Sequence, residues 1–432
     1  MASATSSFGL APDAPLSGDL VDLPYRLLQK ASILIFGLTP YAIKLPSIII
    51  GLFFGLLLIL LLNRWFKSNV SLLASCLIVL STPFLFLAGS GTPLIMIVFW
   101  PTLLLWLGSK IQGEKRPKPS YCIFFALALL LAVFTPYMIY FAVFCIVFVA
   151  MQPHLRFVVK SLPKLPLVLV GLATVAGIVA LTMNVINQPG TLMELLFARE
   201  YEVSEFGNNL ISGFSPLLYW GGTMEGVFLT PLISLPMFAL ALIGLFSTTK
   251  GFFASRNSIA SLLLLFTVII TGFNPSSIIF IILPLSILTA HGFKYILEKW
   301  YGLFPENPYA RVAAILPLTI LFSMMILPSL LQYIYGYRYS PSVAMQFNYD
   351  LPIIRKNLTD EVLLVEENYD FYKILEKSTN ITVVPALDGP SYNKLAILRR
   401  QDDSDKYNLS LIITSPMAEE SDIIYIYTAK GE

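Results

Sequence analysis

Apolar residues in this chain come in long blocks over the first 335 positions, and the polar residues gather in short stretches between them. The blocks run at about 45–63, 70–88, 93–110, 120–134, 136–151, 165–184, 227–247, 257–272, 276–296 and 312–334. A helix crossing a bilayer needs roughly 17–25 such residues, so these blocks predict about ten spans. The fourth and fifth are short and separated only by Thr135-Pro136, which suggests a tight helical hairpin. A similar break stands at Gly272-Phe273-Asn274-Pro275. Beyond about 340 the pattern changes. "EVLLVE" and "NITVVP" read as short buried strands, and "NYDFYKILEK" between them has helical spacing. "KLAILRR", "LSLIIT" and "DIIYIYT" read as further strands. The expected architecture is a polytopic α-helical membrane protein with a small C-terminal α/β domain. Its parts are an outer-facing N-terminal segment with a juxtamembrane helix (1–44), a transmembrane domain (45–335) with a long outer loop at 185–226, and an extracytoplasmic domain (340–432).

Composition agrees. The chain is 56% hydrophobic and 12% charged, with a mean hydropathy of +0.75, whereas an ordinary soluble chain is about one-quarter charged. The net charge of +2 decides nothing, but its distribution does. One set of connections carries Arg64 and Lys67; Lys110, Lys115, Arg116 and Lys118; Arg156, Lys160 and Lys164; Lys250 and Arg256; and Lys294, Lys299 and Arg311. The alternate set carries only Arg199. The positive-inside rule makes the first set cytoplasmic. The N-terminal segment, the Gly89-Ser90-Gly91-Thr92 turn, the long loop and the C-terminal domain then face outward. That face is acidic, with Asp13, Asp19 and Asp22 in the N-terminal segment and Glu194, Glu200, Glu202, Glu205 and Glu225 in the loop.

Several chemistries are disfavoured. Cys76, Cys122 and Cys145 fall inside spans, away from disulfide chemistry. His154 and His291 stand apart at cytoplasmic ends, so there is no His/Cys set for zinc. No pattern calls for a cofactor or gives support for a divalent metal. There is no Walker loop and no nucleic-acid motif. "MASATSSFGLAPDAP" lacks the basic start and apolar core of a cleavable signal peptide.

The stretch "DLPYRLLQKASILIFGLTPYAIKLPSIIIGLFFGLLLILLLNRWF" resembles the early region of GT-C glycosyltransferases. It is most similar to the bacterial dolichyl-phosphate-mannose protein mannosyltransferase and aminoarabinose transferase type. Phe36, Gly37, Ala42, Lys44, Leu45, Pro46 and Ser47 fit the family's Phe-Gly-x-x-x-x-Ala-x-Arg-Leu-Pro-Ser phrase, with lysine in place of arginine. "LLASCLIVLSTPFLFL" is similar to the family's next span. The resemblance covers about residues 20–110. It implies an active site on the outer face, a polyprenyl-phosphate-linked sugar as donor, and a glycan, lipid or protein as acceptor. In the sequence alone, Pro46 marks the point where the first span can begin without losing a hydrogen bond. Lys44 beside it either anchors the helix among headgroups or pairs with the donor phosphate.

Transfer from a lipid phosphate needs cations for the departing charge and a carboxylate to take the acceptor's proton. By the resemblance that carboxylate lies in the first outer loop, among Asp13, Asp19 and Asp22, with Asp13 favoured; the alternative is a solvated, helix-capping role. Arg199 and Glu200, in "FAREYEVSEF", are candidate substrate contacts or a surface ion pair. Tyr219 and Trp220 suit a sugar-stacking flap or an aromatic belt. The pattern departs from the family in places. "AGSGTPLIM" lacks the second outer turn's usual arginine and aspartate, and "NPSSIIFIILP" replaces an Arg-Tyr pair. A span expected ahead of the aspartate loop has no room in residues 1–12. The alternatives to a transferase are therefore a catalytically degenerate scaffold that binds lipid-linked sugar, and a transporter. The second is weakened by the scarcity of charges within spans.

Overall fold

The computed structural model describes residues 20–37, 39–113, 118–160, 164–187, 190–197, 203–218, 223–224, 228–229, 231–249, 254–303, 309, 313, 315–339, 362–364, 380–384, 394–397, 407–413 and 423–429. The chain divides into two compact units, one of residues 18–29 and 44–333 and the other of 1–17, 30–43 and 334–432.

Helices α1 (Leu23–Phe36), α2 (Pro40–Leu62), α3 (Ser68–Val79), α4 (Thr82–Gly89), α5 (Ile95–Gly113), α6 (Pro119–Ala132), α7 (Met138–Met151), α8 (Pro153–Lys160), α9 (Lys164–Asn187) and α10 (Gly190–Phe197) follow one another. After α11 (Phe206–Phe214) and a two-strand pair, β1 (Thr223–Met224) with β2 (Phe228–Leu229), come α12 (Leu235–Thr249), α13 (Ser255–Phe273), a 3₁₀ stretch (Pro275–Ile281), α14 (Ile282–Leu303) and α15 (Ile315–Tyr339). Five stretches are long and apolar enough to cross a bilayer: 41–62, 95–113, 256–273, 275–303 and 319–336. Two bent pairs bring the number to seven, α3 with α4 at 63° and α7 with α8 at 105°. The other expected spans fall on α6 and α12, which are shorter apolar helices, and on the 24-residue α9. The chain is a multi-pass membrane protein.

Burial in the larger unit is inverted relative to a protein in water. Thr102, Thr267, Thr271, Ser286 and Thr289 are buried. Each spends its hydroxyl on a carbonyl about one turn back, as in Thr102 Oγ1 to Val98 O at 2.8 Å and Thr271 Oγ1 to Thr267 O at 2.8 Å. Leu52, Phe53, Ile146 and Leu172 are more than half exposed. Only a hydrocarbon solvent makes that distribution favourable. Where α12 crosses α14, Gly244 faces the Leu288 carbonyl and Gly292 the Leu240 carbonyl, with no space for a side chain at either position. Small residues let the two backbones meet.

Three expected boundaries need correction. The span placed at 227–247 begins only at Leu235, because Phe228–Leu229 pairs as a strand with Thr223–Met224. The span placed at 70–88 is broken between Val79 and Thr82, ahead of Pro83. The first span does not start at Pro46: α2 starts at Pro40 and Pro46 lies inside it. An interior proline cannot donate to the carbonyl four residues back, here Ala42. That carbonyl accepts from Ser32 Oγ at 2.7 Å instead, so α2 continues through the proline.

The connections gather into two groups. At one end Asp22 N donates to Phe134 O (2.7 Å), Gln29 Nε2 to Gly91 O (3.3 Å), Gly91 N to Ser47 Oγ (3.1 Å) and Asn274 Nδ2 to Phe197 O (3.1 Å). At the other end an Arg64 guanidinium nitrogen donates to Ser109 O and one of Arg256 to Trp65 O, both at 3.3 Å, and Gln152 Nε2 donates to Ser258 Oγ at 2.9 Å. Each of these bonds joins connections, or span ends beside them, of the same charge set. The alternation read from the basic residues is therefore matched by packing.

In the other unit, a five-stranded sheet has the order β4-β3-β5-β7-β6, with β3 at Val362–Leu364, β4 at Thr382–Val384, β5 at Lys394–Ile397, β6 at Tyr407–Ile413 and β7 at Ile424–Ala429. β3 runs parallel to β4 and β5, and β7 antiparallel to β5 and β6. All five predicted strands form. The crossover from β3 to β4, where a helix is expected at 368–377, lies outside the described residues. Ile424 to Tyr427 are buried without a break, as fits a strand covered on both faces. β6 takes up a bulge between Leu409 and Leu411, where Ser410 Oγ donates to Ile426 O.

Candidate active site

The first charge-bearing element is α1, and it faces the opposite way from a helix in water. Tyr25, Arg26 and Gln29 are buried, while Leu27, Leu28, Leu34 and Ile35 are exposed. Its polar stripe therefore points into protein and its leucines into lipid, as suits a helix lying along a membrane surface. Asp22 precedes α1 in the left-handed region, at φ 55. Aspartate is one of the few non-glycine residues that takes this geometry readily. Its carbonyl accepts the first helical bond, from Arg26 N at 3.0 Å, and its own N–H is held by Phe134 O. One turn on, Tyr25 is fully buried. Burial holds its phenol well above the usual tyrosine range, the Ser47 hydroxyl pulls the other way, and the Asp22 charge adds to the rise. Tyr25 is therefore a neutral hydrogen-bond donor at any working pH, with the Ser47 hydroxyl beside it.

Ser47 joins this cluster to Lys44. Its hydroxyl donates to Lys44 O at 2.9 Å and accepts from Gly91 N at 3.1 Å. Gly91 has φ 72, a conformation that glycine enters without steric cost. Ser90 Oγ and Thr92 Oγ1 lie 2.7 Å apart across it. Lys44 is partly buried, on a turn of α2 that Ser47 fixes.

The third component is the turn between α6 and α7. Thr135 Oγ1 accepts from Trp100 Nε1 at 3.1 Å. Tyr137 has φ 67, a true outlier for a bulky side chain, of the kind that costs about 1–3 kcal/mol and persists only where its surroundings enforce it. Here they do: Tyr137 N donates to Leu195 O at 2.9 Å and Tyr137 OH to Phe197 O at 3.2 Å. Asn274 Nδ2 reaches the same Phe197 carbonyl, and Asn274 Oδ1 accepts from Ser276 N, capping the 3₁₀ stretch. Asn209 Nδ2 contacts the Gly272 and Phe273 carbonyls at 3.2 and 3.4 Å. The rings of Tyr140, Phe197, Phe206 and Phe273 pack around that break.

Of the residues singled out from sequence, Asp22 and Lys44 meet at this end through Tyr25 and Ser47. Asp13, Asp19, Arg199, Glu200, Tyr219 and Trp220 lie outside the described residues. Sequence reasoning missed Tyr25, Gln29, Tyr137 and Asn274 as members of the cluster. The Asn274-Pro275 and Thr135-Pro136 breaks were visible, but nothing local says that they meet. Among the described residues, no three His, Cys, Asp or Glu side chains group as metal ligands.

Residues 24–180 match the family model described as dolichyl-phosphate-mannose-protein mannosyltransferase. The crystal structure of ArnT from Cupriavidus metallidurans bound to undecaprenyl phosphate is similar to this chain at a TM-score of 0.50 and 12% identity, over 93% of this chain and 87% of that one. The chain has the GT-C fold. The apo structure of the same ArnT gives a TM-score of 0.48 and 13% identity over 93% and 86%. No curated protein sequence matches. The family match covers α1 from Pro24 onward and the Lys44–Ser47 phrase, so the matched segment carries Tyr25, Lys44 and Ser47, and Asp22 stands just ahead of it.

Proposed function

We propose that this protein is a membrane glycosyltransferase that moves a sugar from a polyprenyl-phosphate carrier to an acceptor on the extracytoplasmic face. The observation that carries the reading is the cluster of Asp22, Tyr25, Ser47 and Lys44 at the end of the bundle away from Arg64 and Arg256; Tyr25, Lys44 and Ser47 lie within the segment that matches the mannosyltransferase family, and Asp22 stands two residues ahead of it. The ArnT structure, bound to undecaprenyl phosphate, supports a donor of that class. In this reading the C-terminal domain is extracytoplasmic as well, as the distribution of basic residues implies.

In this reading Lys44 and Arg199 neutralise the departing phosphate, and Tyr25 donates a hydrogen bond to an incoming oxygen. A carboxylate of the N-terminal segment accepts the proton of the attacking hydroxyl. Asp13 was favoured for that role from sequence. Asp22, with its backbone held by Phe134, is the carboxylate we assign, because a base must be positioned as well as basic. Tyr219 and Trp220 would stack on the sugar.

The test is transfer from radiolabelled polyprenyl-phosphate sugars by purified protein in nanodiscs, with Asp13→Asn, Asp19→Asn and Asp22→Asn alongside. Transfer abolished by one of them supports the reading. Full turnover in all three moves the base to Glu200 or Glu202. Binding of the lipid phosphate without turnover of any sugar would favour the second reading, a catalytically degenerate binder of lipid-linked sugar. The uncharged turns "AGSGTPLIM" and "NPSSIIFIILP" speak for that reading. For orientation, Ser404→Cys should react with an impermeant thiol reagent on intact cells; reaction only after lysis would reject the outward placement.

A further inference from the structure

We infer that the Phe134–Tyr137 turn, together with Asn274, is a bracket that sets Asp22 and the start of the long outer loop at a fixed separation, and that Tyr137 and Asn274 are positioning residues for donor binding. The inference rests on the proposed transferase reading for what is positioned, but the bracket itself is a matter of geometry. On one side of the turn, Phe134 O takes the N–H of Asp22 at 2.7 Å. On the other, Tyr137 holds α10 twice, through its N–H to Leu195 O at 2.9 Å and its hydroxyl to Phe197 O at 3.2 Å. Asn274 holds the same Phe197 carbonyl from the Gly272–Pro275 break at 3.1 Å. Phe197 is two residues before Arg199 in the sequence. The turn is thus bonded to the candidate base on one side and to the root of the loop carrying the candidate phosphate contact on the other. Trp100 fixes its centre by donating to Thr135.

The choice of residues argues that the bracket is more than packing. The last carbonyls of a helix are ordinarily met by water, by a glycine cap or by a tightened final turn. Here a tyrosine is held in the left-handed region, where glycine would be the unstrained choice, and its side chain is used for the second bond. Glycine at 137 would keep the backbone and lose that bond. Asn274 is likewise used through both ends of its amide, one for the cap of Ser276 and one for Phe197.

Two variants isolate the bracket. Tyr137→Phe removes one bond to Phe197. Asn274→Asp keeps an acceptor for Ser276 N but cannot donate to Phe197. Full-length protein in nanodiscs is examined by amide hydrogen exchange and by titration with undecaprenyl phosphate. The bracket predicts at least about tenfold faster exchange over 190–197 in both variants, no change over 259–271, and an undecaprenyl phosphate Kd raised at least about tenfold. Unchanged exchange over 190–197 in both variants overturns the bracket, whatever the lipid does. Faster exchange with wild-type affinity overturns the positioning role. If wild-type protein binds no undecaprenyl phosphate, the donor reading fails and exchange alone decides the bracket.

Discussion

The two ends of the membrane unit are built from different materials. At the Arg64 end the long cations lie in exposed or partly buried positions. Arg64 is exposed, and the hydrogen bond from its guanidinium to Ser109 O is long, at 3.3 Å. Lys294 and Glu298 are 3.8 Å apart on one helix face, with side chains 33% and 65% exposed. At the Asp22 end the polar groups are mostly buried and bonded to backbone: Gln29 to Gly91, Ser47 to Lys44 and Gly91, Tyr137 to Phe197, Asn209 and Asn274 across the 272–275 break. The two non-glycine residues with positive φ among those described, Asp22 and Tyr137, are both at this end. One end is an anchor whose charges need only reach headgroups. The other holds groups in one geometry at a cost in backbone strain, which is how functional sites differ from scaffolds.

The largest effect should come from Asp22→Asn. Asparagine also tolerates the left-handed backbone, so the change removes basicity and charge and leaves the turn in place. If Asp22 is the base, transfer falls about 10²–10⁴-fold with the thermal midpoint little changed. A loss below about threefold would move the base to another carboxylate and reduce Asp22 to a cap.

Ser47→Ala comes next, since it strands the buried Gly91 N–H. An unsatisfied buried donor costs about 1–3 kcal/mol, which thermal unfolding in detergent should read as a clear drop. Ser71→Ala is the control from outside the cluster: its hydroxyl donates to Ile59 O at 3.1 Å. A carbonyl that loses this donor still has its helical partner, so about 1 kcal/mol or less is expected. Equal losses would erase the contrast between the two regions.

How much of this was legible in the sequence depends on how local each signal is. The spans, the strands at 362–364, 382–384, 394–397, 407–413 and 424–429 and the inside-outside alternation follow from runs and periods of adjacent residues. Asp22 and Lys44 stood out because each lies at the mouth of an apolar block, Asp22 just before α1 and Lys44 in the opening turns of α2. The start of α2 was misread because a proline inside a helix is tolerated only if something else serves the carbonyl four residues back. Here the substitute, Ser32, comes from a different helix. Tyr137 and Asn274 were hidden for the same reason: their partners are 60 and 77 residues distant in the chain. The bend between Val79 and Thr82 is likewise held from far away, by Thr82 Oγ1 bonding Ser329 O and Gln332.

A smaller and pH-dependent effect belongs to Tyr25. Its folded phenol is held above the usual range mainly by burial, while the unfolded phenol ionises near about 10. Below that value both states are protonated and the contribution is complete. Above it the unfolded chain loses its proton first, so stability falls as pH rises. Wild-type protein should lose thermal stability above about pH 10 more steeply than Tyr25→Phe. Parallel slopes for the two would mean that Tyr25 reaches solvent, and the Asp22 end would then be wetter than its geometry implies.

The smallest effect should come from Arg64→Ala, and it bears most directly on the contrast. The guanidinium contacts Ser109 O from an exposed position, and a surface charge of this kind contributes about 0–1 kcal/mol. Orientation is set by the summed basic residues of several connections, and Lys67, Lys110, Arg156 and Arg256 remain. The Ser109 carbonyl stays within α5 and loses only one long bond. Transfer and undecaprenyl phosphate binding should therefore stay within about twofold of wild type, with a thermal shift near the error of measurement. If Arg64→Ala weakens donor binding as far as Ser47→Ala does, the basic end takes part in the reaction, and assigning chemistry to one end and anchoring to the other would be wrong.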